Sequence, residues 1–315
     1  MLRRAGCVGL LLWLVAIGGV QARLQPPPST SRAIAITFDD LPGVLARPTA
    51  EELTDINRRL LATLRMSGTP AIGFVNEGRL EVVGEREQRT AILRSWVDAG
   101  MALGNHSYNH EGFNDATLAD YEADVLRGER ITRPLLESKG KTLVWYRHPF
   151  NQTGPTLDAK TRFEAFAREH GYRIAPFTVE AVDYLFTRFY EKAISDRKPS
   201  RADQVMTEYL QFQDREMDWA QAFSVETFGR EIPQVLLCHV NRINADAMPE
   251  LLRRLRARGY TFITLDQAAQ DPAYQTADEY VGRNGVSWLH RWRVALRLPP
   301  RLDGEPDPPQ WVLQP

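Results

Sequence analysis

The stretch AIAITFDDLPG, residues 33–43, decides how the rest of the chain is read. Ala33 to Phe38 is an apolar, partly β-branched run that stops at two adjacent carboxylates, Asp39 and Asp40, before Pro42 and Gly43. A short apolar run bounded by turn residues is the pattern of a buried strand. Downstream, Thr49 and Glu52 make a capping box ahead of Leu53, Ile56, Leu60, Leu61 and Leu64, and Gly68 ends the pattern, so a helix follows the strand. The alternation continues. Further strands are expected at Pro70 to Val75, Met101 to Gly104, Thr142 to Tyr146, Tyr172 to Thr178, Gln234 to His239 and Tyr260 to Leu265. Helical patterns fall at Glu87 to Ala99, Leu118 to Lys139, Asp158 to His170 and Ala247 to Arg258. Seven strands with helical crossovers predict an α/β fold, an incomplete (β/α)7 barrel.

Around this framework lie segments of other character. Arg3 and Arg4 precede an apolar run, Ala5 to Val20, with small residues at Val20 and Ala22, so residues 1–22 read as a signal peptide and the protein as exported, periplasmic or secreted. The run is shorter than a spanning helix needs, so no stable membrane anchor is expected after cleavage. Residues 23–32 contain the linker QPPPSTS, and Cys238 is then the one cysteine of the mature chain. Cleavage would leave 37 basic against 40 acidic residues, which offers no surface for a phosphate backbone and argues against nucleic acid. The predicted catalytic domain spans 33–271. Between its fifth and sixth strands, an aromatic-rich insertion at 185–233 reads as a helical pair, lying either on the barrel's side or over one wall of the cleft. The C-terminal extension, 272–315, carries SWLHRWRVALRL, expected to cover the bottom or open seam of the barrel, and a proline-rich end expected to be extended or mobile.

Polar residues gather at the predicted C-terminal strand ends: Asp39 and Asp40 after strand one, His106 and His110 after strand three, Arg147 after strand four, Asp183 after strand five and His239 ending strand six. In a parallel barrel those ends share the catalytic face. The i, i+4 spacing of His106 and His110 would let both imidazoles lie on one face of a helical turn. Two imidazoles and a carboxylate leave open positions on a divalent ion; zinc suits such a set, with cobalt, nickel or manganese as alternatives. His148 reads as structural, and Cys238 as a buried apolar residue turned away from His239 by strand alternation.

In order, TFDD with LP, NHSYNH, YRHPFN, a later VDY and LLCH resemble the five motifs of the polysaccharide deacetylase family (NodB homology, carbohydrate esterase family 4), from Ile34 to about Asp271. The resemblance implies Asp39 as general base, Asp40, His106 and His110 as metal ligands, Arg147 as the residue orienting the base, His239 as general acid and Asp183 as the carboxylate holding that histidine. Arg147 is expected to keep Asp39 ionised. Leu41 stands where many members have Gly and is expected to narrow the cleft floor or to remove a backbone approach; Asn151 replaces another Gly at a turn it can keep by adopting positive φ. The function implied is an exported metal-dependent hydrolase removing N-acetyl groups from a sugar or glycan by metal-activated water. Alternatives are an amidase of the same superfamily acting on a small or cyclic amide, a non-haem iron oxygenase, and a catalytically silent glycan-binding protein. Asp39 and His239, an acid and base beside the ligand set, argue against oxidation.

Overall fold

The first strand is covered on both sides: in the computed structural model, which describes residues 32–46, 48–301 and 303–314, β1 runs Arg32–Leu41 and is buried from Ile34 onward. The expected signal peptide and all but the last residue of the expected linker lie outside the described residues. α1 (Ala50–Met66) begins at the capping box, Thr49 accepting from the Glu52 amide and the Glu52 carboxylate accepting from the Thr49 amide. Such a cap is worth about 1 kcal/mol. The chain continues through β2 (Ala71–Val75), α2 (Arg86–Asp98), β3 (Ala102–Asn105), α3 (Leu118–Arg127), α4 (Thr132–Glu137), β4 (Trp145–Tyr146) and α5 (Leu157–Glu169). It then forms β5 (Arg173–Ile174), β6 (Val179–Glu180), α6 (Asp183–Ser195), α7 (Pro199–Phe228), β7 (Gln234–His239) and α8 (Arg242–Ala257). β8 (Tyr260–Ile263), α9 (Leu265–Ala268), α10 (Trp288–Ala295) and α11 (Gln310–Leu313) complete it.

All strand pairs are parallel, in the order β5-β4-β3-β2-β1-β7-β6, with flanking helices: an incomplete (β/α)7 barrel. β8 lies along the first half of β1, from Arg32↔Tyr260 to Ala35↔Ile263, while β2 takes the second half. The predicted fifth strand is two. Ala175 still donates to the Tyr146 carbonyl on β4's side, but Thr178 donates to Val235 on β7's side. Pro176 between them has no N–H to give, so the ladder changes partner there. At this seam the C-terminal extension enters: the Trp288 amide donates to the Phe177 carbonyl and the Ser287 hydroxyl to that of Thr178.

The helical stretch predicted over Leu118 to Lys139 breaks after Arg127. A Cβ at Gly128 would sit 2.5 Å from the Ser107 carbonyl carbon, so the break lets the backbone pass close to the loop after β3. The 185–233 insertion is the helical pair α6 and α7, and Trp311 of α11 docks on Phe186 and Phe189 of α6.

Candidate active site

Strand alternation should aim Asp39 and Asp40 at opposite faces. Both reach the cleft because Asp40 adopts a left-handed conformation (φ 65°) and the β1–β2 register slips between Phe38 and Leu41. A non-glycine residue held there costs about 1–3 kcal/mol and persists where surrounding structure fixes it. Leu41 then turns inward, fully buried against Gly73. It does not line the cleft, and the expectation that it narrows the floor is corrected.

His106 and His110 converge without a helix, which corrects the reading of their spacing. They lie on an irregular loop with left-handed residues at Ser107 (φ 65°) and His110 (φ 58°), and their ring centroids are 4.9 Å apart. Asp124 of α3 clamps this loop, its carboxylate accepting from the amides of Tyr108 (3.1 Å) and Asn109 (3.0 Å), while the Ser107 hydroxyl accepts from the His110 amide. His106 Nδ1 bonds the Arg147 carbonyl at 2.8 Å, leaving Nε2 for the cleft. That Nε2 lies 3.8 Å from Asp40 Oδ1, and His110 Nε2 lies 3.4 Å from the same oxygen.

Ligand atoms from Asp40, His106 and His110 all lie within 4.8 Å of one another. Asp40 Oδ1 and His106 Nε2 are buried with no hydrogen-bond partner. Burial holds both imidazoles down at about 4, so they are neutral and keep a lone pair at neutral pH. Burial works against the Asp40 carboxylate too, but His110, Arg79 and His106 hold it down at about 2. An anion, two neutral imidazoles and two orphaned buried atoms converging on one point fit a divalent cation.

Arg147 is fully buried, donating to Asp39 Oδ1 (3.2 Å), the Thr37 hydroxyl (2.8 Å) and the Pro176 carbonyl (3.0 Å). Burial nevertheless pushes the Asp39 carboxyl above its ordinary value, outweighing Arg147. Arg147 favours the ionised form as expected, but burial is the larger effect; a raised carboxyl is nearer the range a general base needs.

Asp183, at the start of α6, is fully buried and meets His239 Nδ1 at 2.8 Å, the His239 amide at 2.7 Å, Asn241 Nδ2 at 3.2 Å and Asn244 Nδ2 at 2.5 Å. Burial opposes the charged imidazole, but Asp183 outweighs it and pushes His239 up to about 10. His239 therefore lines the cleft as an imidazolium.

Sequence reasoning missed Asn241 and Asn244, and Arg79, whose Nη2 lies 3.6 Å from Asp40 Oδ2. The asparagines follow the LLCH motif directly, so their place at a strand's C-terminal end was available as a signal. Arg79 sits in a short 3-10 helix, Glu77–Leu80, with none. His148 stacks on Phe113 and bonds the Tyr121 hydroxyl at 2.8 Å, away from the cluster, and Cys238 is fully buried.

These groups open into one cleft of about 640 Å³, whose other walls come from Phe150 and Gln152, from Tyr184, Thr187, Glu216 and Trp219 of α6 and α7, and from Arg283 to Ser287 of the extension. That is a volume for a ligand of one or a few rings.

Residues 27–175 match the family model described as polysaccharide deacetylase. Among solved structures, the chain is similar to a mutant of a CE4 family pseudoenzyme with restored enzymatic activity (17% identity, TM-score 0.51, covering 76% of this chain and 68% of that one). It is also similar to the wild-type CE4 family pseudoenzyme from Bacillus anthracis (15%, TM-score 0.50, 76% and 66%) and to a polysaccharide deacetylase from Bacillus cereus (17%, TM-score 0.50, 74% and 91%). At such identities the likeness is one of fold.

Proposed function

We propose that this chain, a member of the polysaccharide deacetylase family over residues 27–175, is an exported, cation-dependent hydrolase that removes N-acetyl groups from an amino sugar or glycan. The observation that carries the reading is that three cation-binding side chains, a carboxylate base and an imidazolium acid open into one cleft. Asp40, His106 and His110 would hold the ion, for which zinc is the natural choice, and when bound it polarises the amide carbonyl and acidifies water.

The rest is done by side chains. Asp39, fixed by Arg147, takes a proton from the water that attacks the acetyl carbon. His239, held by Asp183 through Nδ1, has Nε2 free to give its proton to the departing nitrogen. The C–N bond breaks, the water oxygen stays on the acetyl carbon, and acetate and a free amine leave. Both proton-transfer groups are in their working states, His239 charged and Asp39 raised towards the useful range. A silent binding module would have no use for this division.

The test is an assay of the zinc-supplied protein on N-acetylated glycan oligomers and on small cyclic amides, with acetate and amine measured separately. Equal release of both from the sugars is expected. Opening of cyclic amides with no acetate from any sugar would overturn the assignment in favour of the amidase alternative.

A further inference from the structure

Past His239 the cleft continues to a wall that the proposed hydrolysis does not use. Glu180 ends β6, Thr187 stands on α6, Glu216 and Trp219 share a face of α7 three residues apart, and Glu305 comes from the extension. Glu216 is 4% exposed and makes no hydrogen bond or ion pair among the described residues. Trp219, 8% exposed, has an indole N–H with no acceptor, and the Thr187 hydroxyl is buried without a partner. Buried polar groups are as a rule hydrogen-bonded, so these two orphaned ones, beside a Glu216 carboxyl that also lacks a protein partner, mark where a ligand completes them.

The charges decide which ligand. Burial, with the nearby Glu305 and Glu180, pushes the Glu216 carboxyl up to about 9, so it stays neutral at neutral pH until a cation beside it favours the ionised form; burial also pushes Glu180 up to about 7, with His239 opposing and Asp183 and Glu305 adding to it. Few basic groups offset them. His290 pairs with Glu305 at 3.1 Å, Arg215 lies exposed over the Phe212 ring, and Arg283 at the cleft rim makes no ion pair among the described residues. The wall does not suit a metal: among the described residues, the atoms close enough to share an ion are those of Asp40, His106 and His110. A single positive charge on an organic group is what remains, and the Trp219 and Tyr184 rings beside the carboxylates suit one.

We propose that this wall is a subsite for a protonated amine of the substrate. It rests on the hydrolase reading above and narrows its substrate class to a partly de-N-acetylated glycan, with a free amine on a sugar neighbouring the acetamide to be cleaved. The hydroxyl of Thr187 and the indole N–H of Trp219 would meet the hydroxyls of that sugar.

Binding is measured by stopped-flow tryptophan fluorescence, fast enough to precede turnover, on the full chain. The probes are the disaccharide of glucosamine and its doubly N-acetylated form, each with the unaltered protein, Glu216→Gln and Glu180→Gln. The amine-bearing probe is expected to bind about tenfold or more tighter than the acetylated one, and Glu216→Gln to abolish that difference while leaving the acetylated probe within about twofold. Equal binding of both probes, or a preference that survives both substitutions, overturns the subsite. Should Glu216→Gln fail to fold, Glu180→Gln carries the same comparison. Acetate release is read in a separate assay, so amine preference without hydrolysis would support the subsite and count against the function proposed above.

Discussion

Asp183 receives four donors while fully buried, and its partner His239 keeps a proton that burial alone would remove. Asp183→Asn preserves the size but removes the charge and one of the two accepting oxygens, each of which takes two of the four donors. The His239 pKa should then fall from about 10 by about one pH unit or more, read from the imidazole resonances in an NMR titration. Because the folded pKa is raised above the unfolded value, this pair contributes stability that is fully present below about pH 6.5 and is lost as pH rises through the folded value. The unaltered protein should therefore lose more stability than Asp183→Asn between neutral pH and pH 10. An unchanged His239 titration in the variant would mean that other groups hold the proton.

At the level of elements, the loop carrying His106 and His110 owes its shape to α3. Asp124 ties the Tyr108 and Asn109 amides, and Gly128 lets Ser107 approach. Asp124→Ala should leave the ligands themselves intact but loosen their aim, weakening zinc affinity about 10- to 100-fold in a competition titration. Affinity within about twofold of the unaltered protein would show that the loop holds its shape unaided. The strands that carry the site were legible because apolar runs stopping at polar residues are a one-dimensional signal. Gln234–His239 was predicted to the residue. The converging histidines were legible as residues but not as geometry, since sequence spacing does not reveal a left-handed backbone at Ser107 and His110. The split of the fifth strand hides at Pro176, whose effect depends on which neighbour the chain meets on each side. Arg79 and the wall formed by Glu216, Trp219 and Glu305 are assembled from distant segments and have no local pattern.

On the scale of the whole molecule, α6, α7 and the extension supply walls of the cleft at the strand ends. A cleft so bounded should favour short oligomers or chain ends, so turnover should stop rising after two or three sugars. A steady climb with chain length up to the polymer would show that α6 and α7 leave the groove open for extended subsites. Export is the second expectation: the apolar run ahead of Ala22 predicts a processed chain that begins near Arg23, and mass spectrometry finding Met1 retained would contradict it. The proposed hydrolysis depends on one cleft dividing its groups between holding a cation and moving protons. Metal content measured alongside turnover in Asp39→Asn tests that division most directly. The variant should bind zinc as the unaltered protein does while losing about 10²- to 10⁴-fold in turnover, whereas Asp40→Ala should bind none. An Asp39→Asn protein that came out free of zinc, beside an Asp40→Ala protein that kept it, would contradict the assignment of base and ligand.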